Sequence, residues 1–311
     1  GVSIYGGFAG TETLLTQRNI SLHVTTLSGD IDQVTGNANN AYQVVVASSV
    51  SLAAVLDGFT ITAGNSNGNT GHGGGVFIQD ASPALTNLII SDNNASANGG
   101  GMFVLSIASL RANYSSPSLG NVIFSNNSAA RGGGLYTQNS SPVLLNVTFS
   151  GNTATDGAGG GMNNQVLDEA IDEYSIPLLT NVTFSGNTAN GGGGLFSNNS
   201  NPVLTNVTFS GNIANIRGGA VLNEGASPTF RNVTFSGNTA PPGFGGTIRN
   251  IQNALFEPSH PQIYNSILWG NGSEEITGDG TGSITIMDSV VQGGCPAGST
   301  CTNVINANPS L

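Results

Sequence analysis

The chain has 311 residues, a net charge of −11, and 7% charged against 38% hydrophobic residues. Low charge beside substantial hydrophobicity argues against a disordered chain. The six basic residues are all Arg, which makes nucleic acid and anionic membrane surfaces poor partners, since both call for clustered positive charge.

The first residues, Gly1-Val2-Ser3-Ile4-Tyr5-Gly6-Gly7-Phe8, read directly as strand and turn. No secretory leader precedes them, so a processed or trimmed form is expected. Residues 1–40 are read as an irregular N-terminal coil. A second coil runs from Ala41 through Val55-Leu56-Asp57-Gly58-Phe59-Thr60-Ile61 to Gln79.

From there a seven-residue motif recurs. It reads NLIISDN from Asn87, NVIFSNN from Asn121, and NVTFSGN from Asn146, Asn181, Asn206 and Asn232, then NSILWGN from Asn265. Glycine runs follow most copies, as at Gly132 to Gly134 and Gly191 to Gly194. Within each copy the apolar residues alternate: Val147 and Phe149 share parity, and Thr148 and Ser150 take the other face. Period two means strand. The unit from Pro177 to Pro202 is too short for a strand–helix–strand crossover. It fits one turn of a solenoid.

The expected fold is therefore all-β: a right-handed, single-stranded parallel β-helix of about nine or ten coils, forming one domain over residues 1–311. Repeat coils occupy 41–281, and 282–311 forms a C-terminal coil and loop. Coils stacked ~4.8 Å apart give a rod of about 45 Å. Stacking places equivalent residues in ladders. Phe124, Phe149, Phe184, Phe209 and Phe235 are expected to stack inside the tube, continued by Ile90 and Leu268. Asn127, Asn152, Asn187, Asn212 and Asn238 are expected to form an amide ladder at a turn, each bonding the coils above and below.

Three coils carry extra residues after the glycine strand, near 105–114, 164–175 and 250–260. Insertions at a fixed position of a solenoid fall on one face. The second holds Asp168, Glu169, Asp172 and Glu173, four carboxylates in a chain with 17 acids. It reads either as a solvated helical turn, with Leu167 and Ile171 packing down, or as a Ca²⁺ site, or as a catalytic carboxylate group. No other cofactor is expected. Trp269 stands where other copies carry Ser. It either stacks on a sugar or partner chain or packs under the C-terminal loop. Cys295 and Cys301 flank a short Pro/Gly loop and read as a local disulfide formed in an oxidising compartment. His23, His72 and His260 sit beside no motif and are read as loop or surface residues. Arg131 and Arg217 each precede a glycine strand, but three coils separate them, and no Arg-plus-acid constellation stands out.

Phe-Ser-Gly-Asn followed by Gly218-Gly219-Ala220-Val221 resembles the paired FxxN and GGA-Ile/Leu/Val repeats of chlamydial polymorphic outer-membrane proteins. More widely, Tyr5-Gly6-Gly7-Phe8, Gln17-Arg18-Asn19, Leu27-Ser28-Gly29-Asp30 and Leu56 to Ile61 are similar to bacterial exported β-helix proteins of the pectin-lyase-like, "choice-of-anchor" class. The resemblance implies a right-handed helix, export, and an extracellular or cell-surface role such as adhesion. The expected function is a structural, adhesive or fibre-forming β-helix without catalysis. Its partners would be further copies of itself, a polysaccharide or a cell-surface glycan. The alternative is a carbohydrate-active enzyme or carbohydrate-binding module, with ice binding through the Thr148/Ser150-type hydroxyl grid a third reading.

Overall fold

Val147 and Phe149 point the same way along an extended segment, and so do their counterparts one coil on, so the chain buries an apolar edge only by stacking coil on coil. The computed structural model describes residues 1–32, 36–51, 53–68, 71–107, 115–167, 175–255, 257–272 and 274–310. Among them the strands pair in parallel into three sheets of 14, 9 and 6 strands. This is a three-sided parallel β-helix. The only helical element among the described residues is one short 3-10 turn, Leu15–Gln17.

One coil shows the rule. Leu178–Ser185 lies in the main sheet, Thr188–Gly191 in the short third sheet and Leu195–Asn198 in the second sheet. The main strand pairs with Val143–Ser150 before it and Val203–Ser210 after it, Phe184 lying opposite Phe149 and Phe209. Ile90 and Leu268 continue that column in register with Phe124 and Phe235. The five rings are fully buried. They stack with centroids 4.7–4.9 Å apart and planes within 8° of parallel, a spacing set by the strand separation. Fully burying such side chains contributes roughly 1.5–3 kcal/mol each.

The first rung of the main sheet is split. Ser3–Tyr5 pairs with Val55–Asp57, and Thr25–Ser28 pairs with Phe59–Thr62. Residues 6–24 loop out between the two halves. Arg18 fastens that loop: its Nη2 lies 2.9 Å from Asp57 Oδ1, and its guanidinium covers the Tyr5 ring at 5.3 Å. The three segments 5–8, 17–19 and 56–61 thus meet in one place.

Two kinds of residue turn the corners. Five successive main strands each contain an Asn in left-handed backbone, with φ of 55–56° at Asn121, Asn146, Asn181, Asn206 and Asn232. Asn tolerates this region better than most residues. It resets the alternation, so Leu144, Val147 and Phe149 all face inward despite a spacing of three and then two. The corner between the third and second sheets needs glycine for a different reason. A Cβ on Gly193 would lie 2.5 Å from the Gly219 carbonyl oxygen, and one on Gly160 would lie 2.5 Å from that of Gly193. Successive coils approach too closely there for any side chain.

The inward face of the third sheet is an alanine column, Ala95, Ala129, Ala154, Ala189 and Ala214. The second sheet carries an inward polar column. There Thr137 Oγ1 donates to Asn164 Oδ1 at 2.8 Å, and Asn223 Nδ2 donates to Asn250 Oδ1 at 2.8 Å. Between these pairs sits the shorter Ser197, and Asn164 Nδ2, Ser197 Oγ and Asn223 Oδ1 have no protein partner.

Candidate binding cleft

The residues outside the coil follow the same register as those inside. On the third sheet, Arg131 pairs with Asn98, and Gly191 pairs with both Ala158 and Arg217. Two small residues, Ala158 and Gly191, therefore occupy the two coils between Arg131 and Arg217. At ~4.8 Å per coil the two arginines stand about 14 Å apart. The gap between them is a cleft of about 570 Å³.

The second sheet supplies the facing wall. Tyr136, Asn163, Phe196 and Leu222 form one register column, and Gln138, Gln165, Asn198 and Glu224 form the next. Both columns line the cleft. Tyr136 Oη donates to Gln165 Oε1 at 2.5 Å, and burial pushes its phenol up to about 12. Asn163 is 1% exposed. Its Nδ2 donates to the Ala158 carbonyl at 2.9 Å, which ties the two walls together, while its buried Oδ1 has no partner. Asp156 also lines the cleft. Burial raises the Glu224 carboxyl above its ordinary value, and the nearby Arg217 charge opposes that rise. Neither Arg131 nor Arg217 forms an ion pair among the described residues.

This corrects two expectations. Three coils do separate Arg131 from Arg217, but with small residues between them both line one cleft with Asp156 and Glu224. The signal available in the sequence was the missing bulk at Ala158 and Gly191. His72 is not a plain surface residue either. It is half-buried and stacks on Phe103, centroids 4.6 Å apart, and burial lowers its pKa.

Asp168, Glu169, Asp172 and Glu173 lie outside the described residues, as do most of 105–114 and 164–175. Among the described residues no group of three or more His, Cys, Asp or Glu is placed to hold a metal ion. Trp269 pairs in register with Ser236 and is half-buried. It lines a separate cleft with Val291, Gly293 and Pro296, beside the loop closed by the Cys295–Cys301 disulfide, whose Cα atoms are 6.1 Å apart. No helix among the described residues is long and apolar enough to cross a membrane.

The buried amide ladder forms as the repeat implies. Asn187 Nδ2 donates to Asn212 Oδ1 at 2.9 Å and to the Phe149 carbonyl at 3.0 Å. Its Oδ1 accepts from both Nδ2 and the backbone N–H of Asn152, each at 3.0 Å. All four hydrogen-bonding positions of the amide are used. A second, exposed ladder was not anticipated. The left-handed Asn residues also link coil to coil, Asn181 Nδ2 donating to Asn146 Oδ1 at 3.1 Å and Asn206 Nδ2 to Asn181 Oδ1 at 3.2 Å.

The class defined by this geometry is a ladder-stabilised parallel β-helix with a polar lateral cleft. Residues 121–138, 181–198 and 206–224 match the Chlamydia polymorphic membrane protein repeat, to which the chain is similar over those segments. Each matched segment runs from the left-handed Asn to the end of the second-sheet strand. It thus contains a Phe rung, an Asn rung, the glycine corner and part of the cleft wall. No curated protein and no solved structure gives a match.

Proposed function

We propose that this chain is an extracellular adhesive β-helix, displayed at a cell surface and acting by binding rather than catalysis. The observation that carries the reading is the match of three coils to a membrane-protein repeat, with its Phe and Asn positions serving as structural rungs. Side chains committed to stacking leave the outer faces to display contacts. The net charge of −11 keeps such a surface soluble. Beads coated with the chain are expected to attach to cells or extracellular matrix above an uncoated control. Attachment equal to that control would overturn the reading.

A second reading, a carbohydrate-active enzyme, is favoured by the grouping of Arg131, Asp156, Arg217 and Glu224 at one cleft. Release of reducing ends or unsaturated uronides from a polysaccharide panel, lost in Glu224→Gln and in Arg217→Ala, would replace the adhesive reading with this one.

A further inference from the structure

We propose that the cleft between Arg131 and Arg217 is a binding site for a neutral oligosaccharide laid along the axis of the solenoid. This names the ligand class of the adhesive reading and rests on that reading for where the sugar is met.

The first argument is an unfilled valence. Asn163 is almost completely buried, yet its Oδ1 has no hydrogen-bond donor. Buried polar atoms are nearly always paired. A hydroxyl both donates and accepts, so a polyol meets this acceptor and the neighbouring amides with one kind of group.

The second argument is charge. Among the described residues, two cations, Arg131 and Arg217, and two carboxyl groups, Asp156 and Glu224, line the cleft. With all four ionised their charges cancel. The surrounding molecule is acidic, at −11. A polyanion would approach against the net field and find no excess of cations to receive it. A neutral chain meets no such barrier.

The third argument is shape. The cleft spans three coil steps, ~14 Å, which is too long for one sugar ring and suits a short chain. Phe196 and Leu222 give it apolar patches, and Gln138, Gln165 and Asn198 surround them with amides. Apolar surface with a few fixed polar groups is the usual make-up of a small-ligand site. A peptide added as a strand would need an open sheet edge. Here the walls are side chains on strands already paired on both sides.

The test uses the full chain and isothermal titration with neutral β-linked hexose and N-acetylhexosamine tetrasaccharides, their monosaccharides, and a uronic acid tetrasaccharide. Saturable binding of at least one neutral tetrasaccharide is expected, with its monosaccharide much weaker. Gln138 and Asn198 line the cleft and are half-buried, so Gln138→Ala/Asn198→Ala is expected to keep the wild-type melting temperature. It should weaken binding at least about tenfold, ~1.4 kcal/mol. Thr183→Ala, on the main sheet, should bind as wild type. Preference for the uronic acid chain, no binding of any neutral tetrasaccharide, or equal binding by the double variant would each overturn the proposal. Cell attachment measured in parallel separates the two ideas. Attachment unchanged in the double variant removes the cleft and leaves adhesion. Sugar binding without attachment leaves the cleft and removes adhesion.

Discussion

Asn271 Nδ2 donates to Glu275 Oε2 at 2.9 Å, and with that bond the buried amide ladder stops. Every rung before it runs in one direction, from Asn93 to Asn127 at 3.1 Å through to Asn238 and Asn271 at 2.7 Å. A one-way chain of amide donors has to end on an acceptor. Here it is a buried carboxyl, reached as well by the Thr247 hydroxyl. Burial raises the Glu275 pKa, against the lowering effect of its bonds from Thr247 and Asn271.

A pH dependence follows. A carboxyl whose folded pKa is raised binds its proton more tightly in the folded state. Its contribution to stability is present below the unfolded value of ~4.3 and is lost as pH rises through the folded value. Glu224 acts in the same sense. Denaturant titrations should show stability falling as pH rises from ~4.3 through the folded value, with a shallower fall in Glu275→Gln. An identical slope in the variant would mean that Glu275 does not carry the effect.

Phe184→Ala should lower stability by roughly 3–5 kcal/mol, because it empties a fully buried rung. A loss below about 1 kcal/mol in urea unfolding would contradict the inward register.

The two Asn ladders should respond differently. Asn187→Ala strands the Asn152 amide and backbone N–H and the Phe149 carbonyl, at ~1–3 kcal/mol for each buried group left unpaired. Asn181→Ala loses exposed bonds and places Ala in left-handed backbone, about 1–2 kcal/mol. Asn181→Gly, free of that conformational penalty, should cost less than Asn181→Ala. Comparable losses in Asn187→Ala and Asn181→Ala would show that burial does not set the cost.

Ser197→Asn should stabilise the protein. Its amide would accept from Asn164 and donate to Asn223, joining two halves of a column now interrupted at a short side chain. Each buried polar group so satisfied recovers up to ~1–3 kcal/mol. A lower melting temperature would indicate overpacking instead.

Arg18→Ala should loosen residues 6–24 alone. The Asn19 amide, bonded to the Gly7 carbonyl at 2.8 Å, should exchange faster, while amides around Phe184 keep their protection. At Asp57, burial raises the pKa, but hydrogen bonds from Asn87, Thr86 and Arg18 outweigh it and hold the carboxyl below its ordinary value. Its contribution is therefore present above ~3.9 and disappears as pH falls through the folded value. Acid should release this loop before the coils, and a simultaneous loss of both would refute the local role.

The coil, the Phe rungs and the buried Asn rungs were legible in the sequence because stacking rewards identical neighbours, and identity is visible as repetition. The exposed Asn ladder was equally repetitive. Its conformation was not legible, because period-two alternation conceals a left-handed residue. The cleft was harder to see. It is made by what Ala158 and Gly191 lack, and small residues in a glycine-rich chain carry no mark. The Glu275 terminus is a departure from the repeat, so repetition could not reveal it.

The same pairing rule holds at every rung, so copy number becomes a variable that can change without redesign. Asn181 and Asn206 are 25 residues apart. An in-frame deletion of 181–205 would bring Asn206 against Asn146 and Phe209 against Phe149, like meeting like. One coil fewer would bring Arg131 and Arg217 one step closer together. Gain or loss of a coil by recombination between near-identical repeats would thus act as a ruler, resetting the length of the cleft along the side of the rod.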